Sequence, residues 1–211
     1  MENKILLLAS SILVFPLTWM LFRYLPQTMQ GNRLFTAAMG IYWILILIPT
    51  LLITKGRLTT LVPILTGSIT GQPAWLRLLP FLPTASVLFI SFLPNVSRIT
   101  LQQMITVTGI AFINGNLEEI YWRGLYLKEF ANNFWIGFIT SSLLFGAWHI
   151  SLWTLNGVTY HGGFASLVGG ALAMGILWSF VSRRMKSIRI CIFAHILVNI
   201  LAFTGLFVQN S

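Results

Sequence analysis

Apolar runs of about twenty residues recur along the whole chain, separated by short polar links. A run of that length is what a helix needs to cross the roughly 30 Å hydrocarbon core of a bilayer. Only 8% of the residues are charged while 56% are hydrophobic, against about a quarter charged in an ordinary soluble domain. The runs fall at about 5–25, 34–54, 78–96, 100 to the polar tip at 128–133, 134–153, 163–181 and 190–208. They predict an all-α, polytopic transmembrane helix bundle of about seven spans, with six to eight as the bounds. Residues 58–77, with Pro63, Gly67, Gly71 and Pro73, read as a loop lying partly at the interface.

The first run follows Met1-Glu2-Asn3-Lys4 and lacks a small-residue cleavage site, so it reads as a retained span rather than a signal peptide. The single cysteine, Cys191, lies inside a span and reads as a small buried core residue. No soluble domain or repeat stands out. Residues 1–100 supply N-terminal spans and 101–208 a catalytic helical core, within one structural domain. The net charge of +9 is spread over the loops and marks topology rather than nucleic-acid binding. With the N-terminus inside, ten of the thirteen Lys and Arg fall on the inner side and Arg23, Arg33 and Arg98 outside. The N-terminus is therefore expected in the cytoplasm of a multi-pass cell-membrane protein.

Against this apolar background the segment Asn114-Gly-Asn-Leu-Glu118-Glu119-Ile-Tyr-Trp-Arg123-Gly124 stands out, because it holds two of the four acidic residues in the chain. Ionisable groups at membrane depth are costly, and an unpaired one points to function. On a helix Arg123 lies four residues beyond Glu119 and can clamp it. Glu118 faces another way, on the stripe of Asn114, Trp122 and Leu125. Two of the three histidines also lie in spans. His195 and Asn199 share one helical face. Glu118 and His149 lie about 14 and 17 residues from the tip near Asn132, so both are roughly 20 to 25 Å from it. Such depths place a site in the cytoplasmic half of the bundle, opening toward the cytoplasm. Small residues on the sixth span, Ser166 with Gly170 and Gly169 with Ala173, suit close helix packing around it.

Taken singly, each group has a plain structural reading: His149 as a packing residue, Asn199 as glue between helices, Glu119 with Arg123 as an ion pair. Together the three motifs Glu118-Glu119-x-x-x-Arg123, Phe145-x-x-x-His149 and His195-x-x-x-Asn199 resemble the CPBP family of intramembrane endopeptidases. That group includes the type II CAAX prenyl proteases (the Abi family) and bacteriocin-processing or self-immunity proteins. The likeness covers about residues 113–205 and draws nothing from the first hundred residues.

The resemblance implies peptide-bond hydrolysis in a membrane-associated or lipidated, for example prenylated, peptide. Glu118 would be the general base and His149 would hold or polarise the water. His195 and Asn199 would stabilise the oxyanion, and Glu119, held by Arg123, would orient the site. A desolvated carboxylate is suited to taking a proton from water. No cofactor is expected in this chemistry. A divalent metal such as zinc is the alternative, since two histidines with one or two carboxylates make a ligand set with room for water. Two other functions stay open, a non-catalytic self-immunity or adaptor protein and, behind it, a proton-coupled transporter. Membrane lipids and a membrane-tethered peptide are the expected partners, with no nucleic acid.

Overall fold

The computed structural model describes residues 2–211. Among them there is no strand, and the chain is a bundle of seven long helices. These are α1 (Glu2–Phe22), α2 (Gly31–Thr54), α3 (Ala74–Phe92), α4 (residues 101–129), α5 (Phe134–Trp153), α6 (Ala165–Met185) and α7 (Arg189–Gln209). All except α4 are long and apolar enough to cross a bilayer. At 1.5 Å per residue α4 is roughly 40 Å long. Its Asn, Gln, Glu and Arg side chains lower its hydropathy, and its neighbours α2 and α7 cover its polar face.

The ends follow local chemistry. Thr100 caps α4 reciprocally with Gln103, and Asn133 accepts from the Ile136 amide at the start of α5, so each satisfies an otherwise orphaned N–H. Proline sets α3 apart. Pro80 and Pro83 break it into short segments between Ala74 and Val87, and a wide π turn follows over Leu88–Phe92. Residues 58–65, expected as loop, form two short helical turns before the chain reaches α3.

Helix α4 lies along α7, and α5 lies along α6. Both pairings depend on a missing side chain. A Cβ on Gly115 would stand 2.7 Å from Ile196 Cγ1, and one on Gly175 would stand 3.1 Å from the Ser142 carbonyl oxygen. The small residues expected to draw α6 inward act differently. Gly169 and Gly170 have nothing within 4 Å of an added Cβ, and Ser166, Gly170 and Ala173 line a cavity. They leave space instead of closing it.

Hydrogen bonds sort the loops into two ends. At one, Lys128 reaches Thr60, Ser187 donates to the Ile64 carbonyl and Asn3 to that of Ile53. At the other, Gly31 donates to the Gly157 carbonyl and Asn32 to that of Asn210, while Gln103 meets Ser211. The first end carries Lys4, Lys55, Arg57, Arg77, Lys128, Arg183, Arg184, Lys186 and Arg189. Arg123, counted with them from the sequence, is instead buried in the bundle and only 1% exposed.

Candidate active site

Adjacent residues on a helix point about 100° apart, and Glu118 and Glu119 use that divergence to reach different partners. Glu118 ends the regular part of α4, and residues 119–125 form a wide π turn, a feature that often marks functional positions. Both carboxylates are buried, at 1% and 0% exposure.

Three donors converge on Glu118. Tyr42 of α2 donates its hydroxyl to Oε1 at 2.7 Å. Asn114, one turn earlier on α4, donates to Oε2 at 2.7 Å, and His195 Nε2 lies 3.2 Å from the same oxygen. An ionised carboxylate offers about four acceptor positions, so these contacts leave one, on Oε1.

Glu119 faces the far side of the same imidazole. His195 Nδ1 sits 2.8 Å from Glu119 Oε1, and Arg123 Nη1 lies 3.1 Å from that oxygen. The Arg123 approach is a charge contact and not an aligned hydrogen bond, since its guanidinium nitrogens have no bonded partner. Its plane rests instead over the Phe145 ring, 4.0 Å from the centroid, a favourable cation–π position. Two carboxylates facing both ring nitrogens call for N–H on each. With His195 and Arg123 positive and both glutamates negative, the buried cluster sums to zero, which is how buried charge is tolerated.

His149 takes part differently. Its Nδ1 is 2.8 Å from the Phe145 carbonyl oxygen, and a carbonyl only accepts, so Nδ1 carries the proton. Nε2 is then left with a free lone pair. Asn199, one turn after His195 on α7, is 7% exposed, and its amide nitrogen has no partner. Glu118, His149, His195 and Asn199 all line one cavity of about 570 Å³, together with Asn114. Of the five residues singled out from the sequence, only Glu119 is missing from its wall, standing behind His195.

No part of the motif likeness comes from the first hundred residues, yet they supply a wall of this site. Tyr42 is fully buried. Its hydroxyl accepts from Trp122 Nε1 at 2.8 Å, and its ring stacks on Trp148 at 3.6 Å and 10°. Next to it, Trp43 donates to Asn114 Oδ1 at 2.9 Å and turns the Asn114 amide toward Glu118. A signal was present. Tyr and Trp in membrane helices collect at the interfaces, whereas Tyr42 and Trp43 stand at the middle of Gly31–Thr54.

The cavity extends from Glu118 toward one end of the bundle. Its lining runs through Phe35, Ser91, Leu152, Tyr160 and Leu206 to the end opposite the basic one, and no loop residue of the basic end takes part. At the basic end the helices are tied together instead. The Arg183 guanidinium donates to the Tyr126 and Phe130 carbonyls, and Trp178 donates to that of Pro80. Residue counting gives the depth of a side chain but not where space is left around it.

Residues 100–201 match the family model for Type II CAAX prenyl endopeptidase, Rce1-like. Over that stretch, just under half of the chain, the protein is similar to these endopeptidases, which supports the CPBP likeness of its motifs. The three CPBP-like motifs all lie inside the matched segment. This likeness supports an intramembrane protease in general, in keeping with the multi-pass bundle. No curated protein and no solved structure matches the chain.

A metal at this site would need ligands with free lone pairs meeting at one point. Among the described residues no three His, Cys, Asp or Glu side chains are arranged to hold a metal ion. Both ring nitrogens of His195 are turned to carboxylates, and one of His149 is turned to a carbonyl. As arranged, these nitrogens face carboxylates and a carbonyl rather than one common point.

Proposed function

We propose that the chain is a glutamate-dependent intramembrane endopeptidase acting without a metal. The observation that carries this reading is the one acceptor position left on Glu118, in a cavity shared with the free Nε2 of His149. A water between them would give its proton to Glu118, while His149 Nε2 accepts its second hydrogen and holds it for attack. As the carbonyl becomes tetrahedral, its oxygen gains negative charge. Asn199 Nδ2 is a buried donor without a partner, and His195 Nε2–H sits in the longer of that ring's two contacts. Both can turn to the oxyanion, and donors set in place beforehand are worth most in a dry site. The proton held by Glu118 then passes to the leaving amine, giving one acid and one amine from peptide and water. Glu119 and Arg123 keep the imidazole oriented. A mostly apolar cavity suits a membrane-tethered or lipidated peptide, and prenylated tails are the first class to try because the matched family is described by them. We place the protein in the cell membrane with the N-terminus on the cytoplasmic side.

The test compares wild type with Glu118→Gln in detergent, each incubated with farnesylated tail peptides and membrane-tethered precursor peptides and read by mass spectrometry. Wild type is expected to cut and the variant to lose at least a hundredfold, the usual scale of a general base. Cleavage should persist with a strong chelator. Equal cutting by the variant would remove Glu118 from the base role, and loss in chelator would restore a metal. Absence of any cleavage, with both proteins protecting cells from a bacteriocin, would point to the immunity role.

A further inference from the structure

Two carboxylates hold His195 by its edge. Glu118 lies 3.2 Å from Nε2 and Glu119 lies 2.8 Å from Nδ1. With contacts only at the two nitrogens, the imidazole can still rock about the line that joins them, and a rocking ring does not aim its N–H. A contact that stops this motion has to press on the face of the ring. It comes from α6, where the Trp178 indole covers the imidazole with ring centroids 4.5 Å apart and planes inclined by 35°. Trp178 is fully buried and takes no part in the cavity wall, whereas His195 does. The indole therefore backs the face turned away from the cavity and leaves the ring one way to move, toward the cavity.

Charge strengthens this contact. With N–H on both nitrogens His195 is a cation, and the second cation of the cluster, Arg123, lies 5.6 Å from the same indole. The face of Trp is the best aromatic partner for a cation, most of all where water is absent.

The polar edge of the indole is engaged as well. Trp178 Nε1 donates to the Pro80 carbonyl of α3 at 3.0 Å, and Pro83, three residues further on, has no N–H to offer that carbonyl. Of the six long apolar helices α3 is the least buried, and it is broken into short segments. Its Leu82, Ser86 and Ile90 line the cavity. The bond thus pins a loosely held wall of the cavity to the residue that backs His195.

We infer that Trp178 is a positioning residue with two separable tasks. Its ring holds the His195 imidazole in line for the oxyanion, and its N–H keeps α3 at the distance the substrate needs. Both tasks rest on the endopeptidase reading above, whereas the contact between the two rings does not.

Two substitutions separate the tasks. Trp178→Phe keeps an aromatic face over the imidazole and removes the N–H. Trp178→Met removes both, while its flexible side chain fills much of the same space. On whichever peptide the wild type cuts, Trp178→Phe is expected to keep kcat within threefold while KM rises at least threefold, the mark of lost ground-state binding. Trp178→Met should raise KM likewise and also lower kcat at least tenfold. An equal fall in kcat in both variants, or no fall in Trp178→Met, would overturn the first task. An unchanged KM in Trp178→Phe would overturn the second.

The ring contact is also read without cleavage and without any change at position 178. In wild type observed by proton NMR in mildly acidic buffer, the His195 ring signals are identified by their loss in His195→Gln. The indole face should move them upfield of those of His161, which is exposed. Coincidence with the His161 signals would overturn the contact and the inference with it. A failed endopeptidase reading would show in the Glu118→Gln comparison and would leave the upfield signals in place.

Discussion

Tyr42 holds the catalytic candidate Glu118 without touching the cavity. Its hydroxyl is a donor to Glu118 and an acceptor from Trp122, and its ring is fixed by Trp148. A phenol pinned at three points can hold one carboxylate oxygen in a single position, which leaves the remaining lone pair aimed at the cavity. Tyr42→Phe keeps the ring and its stacking but removes the hydrogen bond. A hydrogen bond to a charged group contributes about 1.5–3 kcal/mol, and 1.36 kcal/mol is tenfold in rate. The expected result is a tenfold to hundredfold fall in kcat with KM changed less than twofold, measured on whichever peptide the wild type cuts. A change in KM alone would assign Tyr42 to substrate binding instead. At this scale the sequence was uneven in what it disclosed. Glutamates and histidines are conspicuous in a chain this apolar, so Glu118, Glu119, His149 and His195 could be singled out without a structure. Tyr42 could not be separated from other aromatic residues except by its depth in the span, since its importance comes from three partners on two other helices.

The helices themselves were legible to within a few residues, because bilayer thickness fixes their length and apolar composition marks them. Where an end moved, a specific contact moved it. Helix α6 runs to Met185, beyond the expected 181, because Arg183 turns inward and donates to carbonyls at the end of α4 instead of leaving the membrane. The three wide turns were not legible. A π turn needs no marker residue, and these three, at 88–92, 119–125 and 165–169, border the site. Glycine positions were legible only as small residues, and which of them close a helix contact depends on register. Gly115 does so, with α7 against it, whereas Gly169 has open space. Gly115→Val is therefore expected to force α4 and α7 apart and lower stability by about 1–3 kcal/mol, the range for overpacking. Gly169→Val should leave the melting temperature unchanged. Thermal unfolding in detergent separates the two, and equal effects would show that the α4–α7 contact does not depend on the missing side chain.

Across the whole molecule, the boundary at residue 100 that the motifs suggest is not a boundary in the packing. Tyr121, just past the glutamates, is met by Ser10 and Ser11 of α1 at 2.9 and 3.0 Å. Trp43 and Tyr42 come to α4 from α2, Ser91 donates from α3 to the Ala202 carbonyl on α7, and Ile64 receives the Ile188 amide. The first hundred residues thus supply two walls of the cavity, the donor that fixes Glu118 and the partners of α4 and α7. A fragment beginning at residue 100 would leave these groups facing lipid without hydrogen-bond partners, which is costly where no water can replace them. Such a fragment, expressed alone, is expected to be inactive and quickly degraded. The link between α3 and α4 is short and lies at the end of the bundle, and the contacts that join the halves are side-chain contacts between complete helices. Membrane helices form individually before they associate, so residues 1–98 and 99–211 expressed as two chains in one membrane should find each other. The expected outcome is co-purification of the halves with at least a tenth of intact activity. Activity of the 99–211 chain alone would show that the motif-bearing half is self-sufficient, and would remove Tyr42 from any part in the reaction.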